Sequence, residues 1–172
     1  MSELLIAGLL MAPVVIVIAI LKASRKRKNE KLAEKLAAYR TKITEESGFH
    51  SSFQKQLVRQ LVLLDERSCR ILCIDFSGKS LSHEVHRLDK AGTIAMRRFA
   101  QALPLDGKAK RKVNYITETG IDIAFLETGR NLFLTVYDHA KHNFSQMGEL
   151  EREALDLKER IENVRRFTPA EA

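Results

Sequence analysis

Four histidines fall into two pairs of equal spacing, His83-x2-His86 and His139-x2-His142, and imidazoles a few residues apart are a common start for a zinc site. Such a site would support metal-assisted hydrolysis. In a strand, however, residues three apart point to opposite faces, and no nearby Cys or paired acid completes a tetrahedral set. Gly78-Lys79-Ser80 copies the end of a phosphate-binding P-loop, but that motif needs a Gly five residues before Gly78, where this chain has Cys73. The tripeptide reads as a turn. Cys69 and Cys73 miss the Cys-x2-Cys knuckle spacing, and in one strand they stand roughly 13 Å apart, too far for a disulfide. They read as buried reduced thiols. No Gly-x-Ser-x-Gly elbow is present. The expectation is a protein with no catalytic residue, no cofactor and no metal site.

The remaining chemistry is positive charge. The formal net charge is +7, and it is concentrated. Lys22 to Lys42 holds nine basic residues against Glu30 and Glu34, whereas the chain from Ile43 onward holds 20 basic and 19 acidic residues. A nucleic-acid binder should carry a basic face on its folded domain together with aromatics for stacking. This chain has no Trp and only 6 % aromatics, so no nucleic-acid partner is expected. On the neutral part, one loop stands out, GKAKRK at 107–112. Lys108, Lys110, Arg111 and Lys112, joined by Arg97 and Arg98 from the preceding strand, form a candidate contact for a protein partner or lipid.

The basic run follows an apolar one. Leu4 to Leu21 contains 18 residues without a charge, which as a helix span roughly 27 Å, near the thickness of a hydrocarbon core. A secretory leader carries its positive charge ahead of the apolar core; here Met1, Ser2 and Glu3 precede it and the charges follow. The expectation is a retained transmembrane helix contacting the bilayer through Leu4 to Leu21, with Pro13 kinking it. Because Lys and Arg stay on the cytoplasmic side, the protein is placed in the cell (inner) membrane as a single-pass chain, N-terminus out and C-terminal domain cytoplasmic. Lys22, Arg25, Lys26, Arg27 and Lys28 then contact anionic lipid head groups. Such a compartment also keeps thiols reduced.

Residues 23–47 are rich in Ala, Leu, Lys and Glu and lack Gly and Pro, which predicts a juxtamembrane helix stopped at Gly48. Leu32, Leu36, Tyr39 and Ile43 form an a/d stripe shorter than two heptads, so it packs on the domain or pairs weakly with a second copy. A homo-oligomer is compatible with this. From Phe53 the pattern shifts to short apolar runs. LVRQLVLL (57–64) and CRILCIDF (69–76) flank DERS as a hairpin; HEVHRL (83–88) and TIAMRRFA (93–100) follow. KVNYITE (112–118), IDIAFLE (121–127) and LFLTVYD (132–138) complete seven strands. In the last pair Ile121, Ile123 and Phe125 share one face, as do Leu132, Leu134 and Val136. ELEREALDLKERIENVRRF (149–167) then places Leu150, Ala154, Leu157, Ile161 and Val164 on one helix stripe, with acids at its start and Arg165 and Arg166 at its end, as the dipole favours. Residues 168–172 form a tail.

Four strands, three strands and a terminal amphipathic helix resemble the pleckstrin-homology-like superfold, a bent antiparallel barrel capped by its last helix. The resemblance covers Phe53 to Arg166 and rests on the order of elements. More loosely, the chain resembles bacterial single-pass proteins carrying such a domain. The fold class expected is α+β: a transmembrane and a juxtamembrane helix, a seven-stranded antiparallel bent sheet or barrel, and a C-terminal helix, divided as 1–22, 23–47, 48–167 and 168–172. The superfold implies a rigid frame for binding peptides, proteins or lipids. Its lipid-binding members use basic residues on the first hairpin; here Asp65 and Glu66 oppose Arg67 and Arg70. The leading expectation is a membrane-anchored interaction or scaffold module that recruits a protein partner. The alternatives are a module sensing anionic lipid and a metal-dependent enzyme using the histidine pairs.

Overall fold

The computed structural model describes the backbone of residues 2–104 and 112–166, with side chains at 20–24, 26–102 and 114–166. The chain divides into two compact units, Met1–Glu46 and Ser47–Ala172.

The first unit is one α-helix, α1, Ser2–Glu46. The two helices expected from the sequence are thus a single rod that continues through Pro13. Among the described residues, no helix is long and apolar enough to cross a membrane. This corrects the expected transmembrane span over Leu4 to Leu21, together with the single-pass, N-terminus-out placement in the inner membrane that rested on it. The helix is long, but from Lys22 onward nearly every turn carries Lys, Arg or Glu, side chains that hydrocarbon does not accept. The reduced state of the thiols therefore has to rest on their burial rather than on a compartment.

The second unit starts where α1 stops. Gly48 has φ +56, the left-handed conformation that ends many helices and that glycine adopts without strain. Seven strands follow: β1 Phe53–Gln56, β2 Gln60–Asp65, β3 Arg70–Asp75, β4 Ser82–Arg87, β5 Ala91–Pro104, β6 Lys112–Phe125 and β7 Arg130–Asp138. They form two antiparallel sheets, β1-β2-β3-β4 and β5-β6-β7. The expected barrel is corrected to two separate sheets, because among the described residues no ladder joins β4 to β5 or β7 to β1.

The β2–β3 hairpin lies where the sequence places it. The buried Asp65 carboxylate organises its turn by accepting the Ser68 N–H (3.1 Å), the His50 N–H (3.2 Å) and the Arg70 guanidinium (2.9 Å). Arg70 also donates to the carbonyls of Ser47 and Gly48, fastening the entry segment to the hairpin. Two strand boundaries differ from expectation. Residues 57–64 are a tight turn followed by β2, with the short β1 pairing ahead of it. Residues 112–118 and 121–125 belong to one strand, β6, which runs through Gly120, while Leu126 and Glu127 lie in the turn before β7. A Cβ at Gly120 would sit 2.3 Å from the Leu134 carbonyl oxygen and 2.6 Å from the Phe133 ring. The glycine here permits close backbone approach rather than a turn.

A C-terminal helix, α2, Met147–Arg166, follows a capping box made by Asn143 and Gln146. It buries Ala154, Leu157, Ile161 and Val164, one face by the 3.6-residue period. These join Val62, Leu64, Ile71, Cys73, Ile121, Ile123, Phe125, Leu134 and Val136 in a common core. α2 packs against β5, β6, β7 and β2. Ion pairs hold its exposed side: Glu153 to Lys55 (2.7 Å) and Glu151 to Arg98 (2.8 Å).

Candidate functional site

Of the six residues expected to form a contact patch, Lys108, Lys110 and Arg111 lie outside the described residues, and Lys112 opens β6 in register with Pro104. The other two, Arg97 and Arg98, are adjacent on β5 and so point to opposite faces. Arg97 pairs with Asp122 at 2.8 Å. Arg98 makes a bidentate pair with Glu151, at 2.8 and 3.0 Å. Neither is an isolated positive charge, and they do not form one patch. On α1, Lys22, Lys26, Arg27 and Lys28 are exposed; Arg25 shares their helix.

Following Arg98 leads to a groove. Met96 and Arg98, two apart on β5, share a face, and Glu151 and Leu155, four apart on α2, share a stripe. Together these four line a cavity of about 440 Å³. Met96 packs on the edge of the core, Leu155 is 54 % exposed, and the Arg98–Glu151 pair stands at the margin. Apolar walls with one fixed charge pair suit a side chain from another molecule, where the apolar part gives affinity and the charged part gives orientation.

A second cavity, of about 450 Å³, lies between the β2–β3 turn and α2, lined by Glu66, Asp156, Glu159, Arg160, Asn163 and Val164. Arg160 stands 3.6 Å from Glu66 and lies over the Phe53 ring, 4.4 Å from its centroid. Its lining is charged and amide side chains with Val164 among them, and no described pair of apolar side chains faces across it.

Three of the four paired histidines stack on or meet aromatic rings, and His83 is exposed on β4. His86 stacks on Phe125 at 4.4 Å and lies 2.9 Å from Glu84. His142 stacks on Tyr137, and His139 meets Tyr115 edge-on. Among the described residues, no three His, Cys, Asp or Glu side chains are placed to hold a metal ion. Both thiols are buried and free. Cys69 lies in the turn before β3 and donates to the Val164 carbonyl at 3.1 Å. Burial, with the charges of Asp75 and Glu84, pushes the Cys73 thiol up to about 12. Neither group is a ready nucleophile.

Sequence reasoning missed the side chains where the tight turn meets the start of β2. Gln60 donates to the Phe133 carbonyl (2.9 Å) and accepts the Thr135 N–H (3.1 Å), so its amide occupies the free edge of β7 much as a neighbouring strand would. Beside it, Arg59 pairs with the buried Asp138 carboxylate, which also accepts the Ala140 N–H. Burial alone would raise the Asp138 pKa, but the Ala140 amide and Arg59 outweigh it and hold the carboxyl below its ordinary range. No pattern in the sequence links Gln60 to a strand 73 residues later. Compared with known families, curated proteins and solved structures, the chain matches none.

Proposed function

We propose that residues 47–166 are a protein-interaction module whose order of elements resembles the pleckstrin-homology-like superfold, with two open sheets in place of a barrel. It recruits its partner in the groove between β5 and α2. The groove itself carries this reading: Met96 and Leu155 offer an apolar slot, and Arg98 with Glu151 offers a cation and an anion side by side. The occupant that fits is an extended partner segment presenting one apolar side chain flanked by polar groups. Support for the architecture is the order of elements, four antiparallel strands, three antiparallel strands and a packed terminal helix.

Photo-crosslinking from position 155 tests this. A benzophenone amino acid replaces Leu155 in the full-length chain, with Lys79 in an exposed turn as the control position, and adducts are identified in the native host. The expected result is one discrete heterologous adduct from 155 and none from 79. No adduct, equal adducts at both positions, or an adduct only with a second copy of this chain overturns the reading.

A second reading rests on α1, where Lys22, Lys26, Arg27, Lys28, Lys31 and Lys35 are all exposed. Such a helix is drawn to an anionic surface at about 1 kcal/mol per basic residue. Flotation of the full chain with vesicles containing 30 % phosphatidylserine tests it. Cofloating that disappears when these six become Ser supports the reading, and indifference to the anionic lipid removes it.

A further inference from the structure

The three-stranded sheet has two edges, and they are treated differently. Gln60 of the other sheet bonds the Phe133 carbonyl and the Thr135 N–H of β7. On β5, the Arg165 guanidinium caps the Gly92 carbonyl (2.8 Å); beyond it, among the described residues, no hydrogen bond reaches the outer edge between Thr93 and Ala102. An open edge is a template for another strand, and proteins usually guard one with free charge, proline, a bulge or shortness. β5 has little of this. It is 14 residues long, and its Pro stands at the far end. Its one bulge, at Gly92, lies at the start, and the irregularity opposite Phe99 and Ala100 skips Thr117 of β6, so β5 stays regular from Thr93 to Pro104. Both its arginines are neutralised within the chain.

Its sequence is also self-complementary. With a two-fold axis at Phe99, antiparallel pairing sets Phe99 against Phe99, Arg98 against Ala100, Arg97 against Gln101 and Met96 against Ala102. No like charges meet. Shifting the axis by one residue toward the N-terminus opposes Arg98 to Arg98, and by two opposes Arg97 to Arg97. Phe99 is 46 % exposed despite its edge-on contact with Phe133, and a second Phe99 would cover it. We infer that β5 pairs antiparallel with β5 of a second copy, joining two three-stranded sheets into one of six, β7-β6-β5-β5-β6-β7, through a self-complementary interface of the kind most dimers use. The inference is independent of the groove's partner. Opposite Met96 and Arg98 it places only alanines, so each groove keeps its mouth clear.

Gln101 decides the matter because it is exposed and bears on the interface alone. Sedimentation velocity of the full-length chain over a concentration series is the readout, with circular dichroism to verify folding. Wild type should be a dimer. Gln101→Arg brings a second guanidinium against Arg97 at both ends of the pairing and should weaken dimerisation about tenfold. Gln101→Glu sets opposite charges together and should tighten it by a similar factor. A chain that is monomeric throughout, or a dimer indifferent to both substitutions, overturns the proposal.

Discussion

The two edges of one sheet show how differently a chain can treat the same problem. At β7 a side chain from the other sheet reaches across and satisfies a carbonyl and an amide that would otherwise be left bare. At β5 one guanidinium caps the first turn of the edge and the rest is left to whatever comes. The same Gln60 bears on why the sheets remain two. Its amide takes backbone groups of β7 that a closing ladder from the edge strand β1 would have to use. An edge sealed by a side chain can be opened by one substitution, and that makes the contrast testable.

The largest effect is expected at the central strand, β6, which pairs with both edge strands. Gly120→Ala forces a methyl into the Leu134 carbonyl, where neither backbone can yield, and should cost about 3 kcal/mol or more; urea unfolding measures it, and a loss below 1 kcal/mol would mean that β6 and β7 separate easily. Next comes Gln60→Ala, which strands two backbone groups of β7 and should cost about 2 kcal/mol. It should also create a second sticky edge, visible as association beyond a dimer. Acid sharpens the contrast further. Asp65 and Asp138 are both held below their ordinary 3.8, so the native chain binds fewer protons than the unfolded one. Their stabilisation is present above pH 3.8 and is lost as pH falls through the depressed values. Hydrogen exchange on acidification should show β7 amides near Asp138 losing protection before those of β5. The smallest effect is Arg98→Ala, an exposed pair worth less than about 1 kcal/mol. It should leave stability almost unchanged while lowering partner capture at position 155. As a check on the core, Cys73 should resist thiol reagents at pH 8 until the protein unfolds.

Much of the fold was legible because burial imposes a period. The β6–β7 pair alternates since one face meets the core, and the paired registers Ile121 to Leu134 and Ile123 to Leu132 follow the predicted faces. The α2 stripe was legible for the same reason. β2 is buried at all six positions, so it reads as a plain apolar run, and its boundary with the turn at 57–59 blurs. β1, Phe-Gln-Lys-Gln, has no apolar pattern and exists only because β2 pairs with it. Gly120 misled because a glycine that admits a neighbouring backbone looks, in sequence, like one that makes a turn. The apolar run at Leu4 to Leu21 was read as a span from its length and lack of charge, whereas among the described residues no helix is long and apolar enough to cross a membrane. The groove was half legible: Arg98 was singled out, but its partner Glu151 lies 53 residues away, and only the adjacency of Arg97 and Arg98 hinted that the two could not act together.

The position of α2 in the chain has a consequence for synthesis. Every strand leaves the ribosome before the helix that supplies Ala154, Leu157, Ile161 and Val164 to the core. At about 5–20 residues per second, roughly one to six seconds separate the end of β7 from the end of α2. During that interval the nascent chain presents an uncovered apolar floor, and it is then that a chaperone, or a neighbouring nascent copy on the same messenger, has its best access.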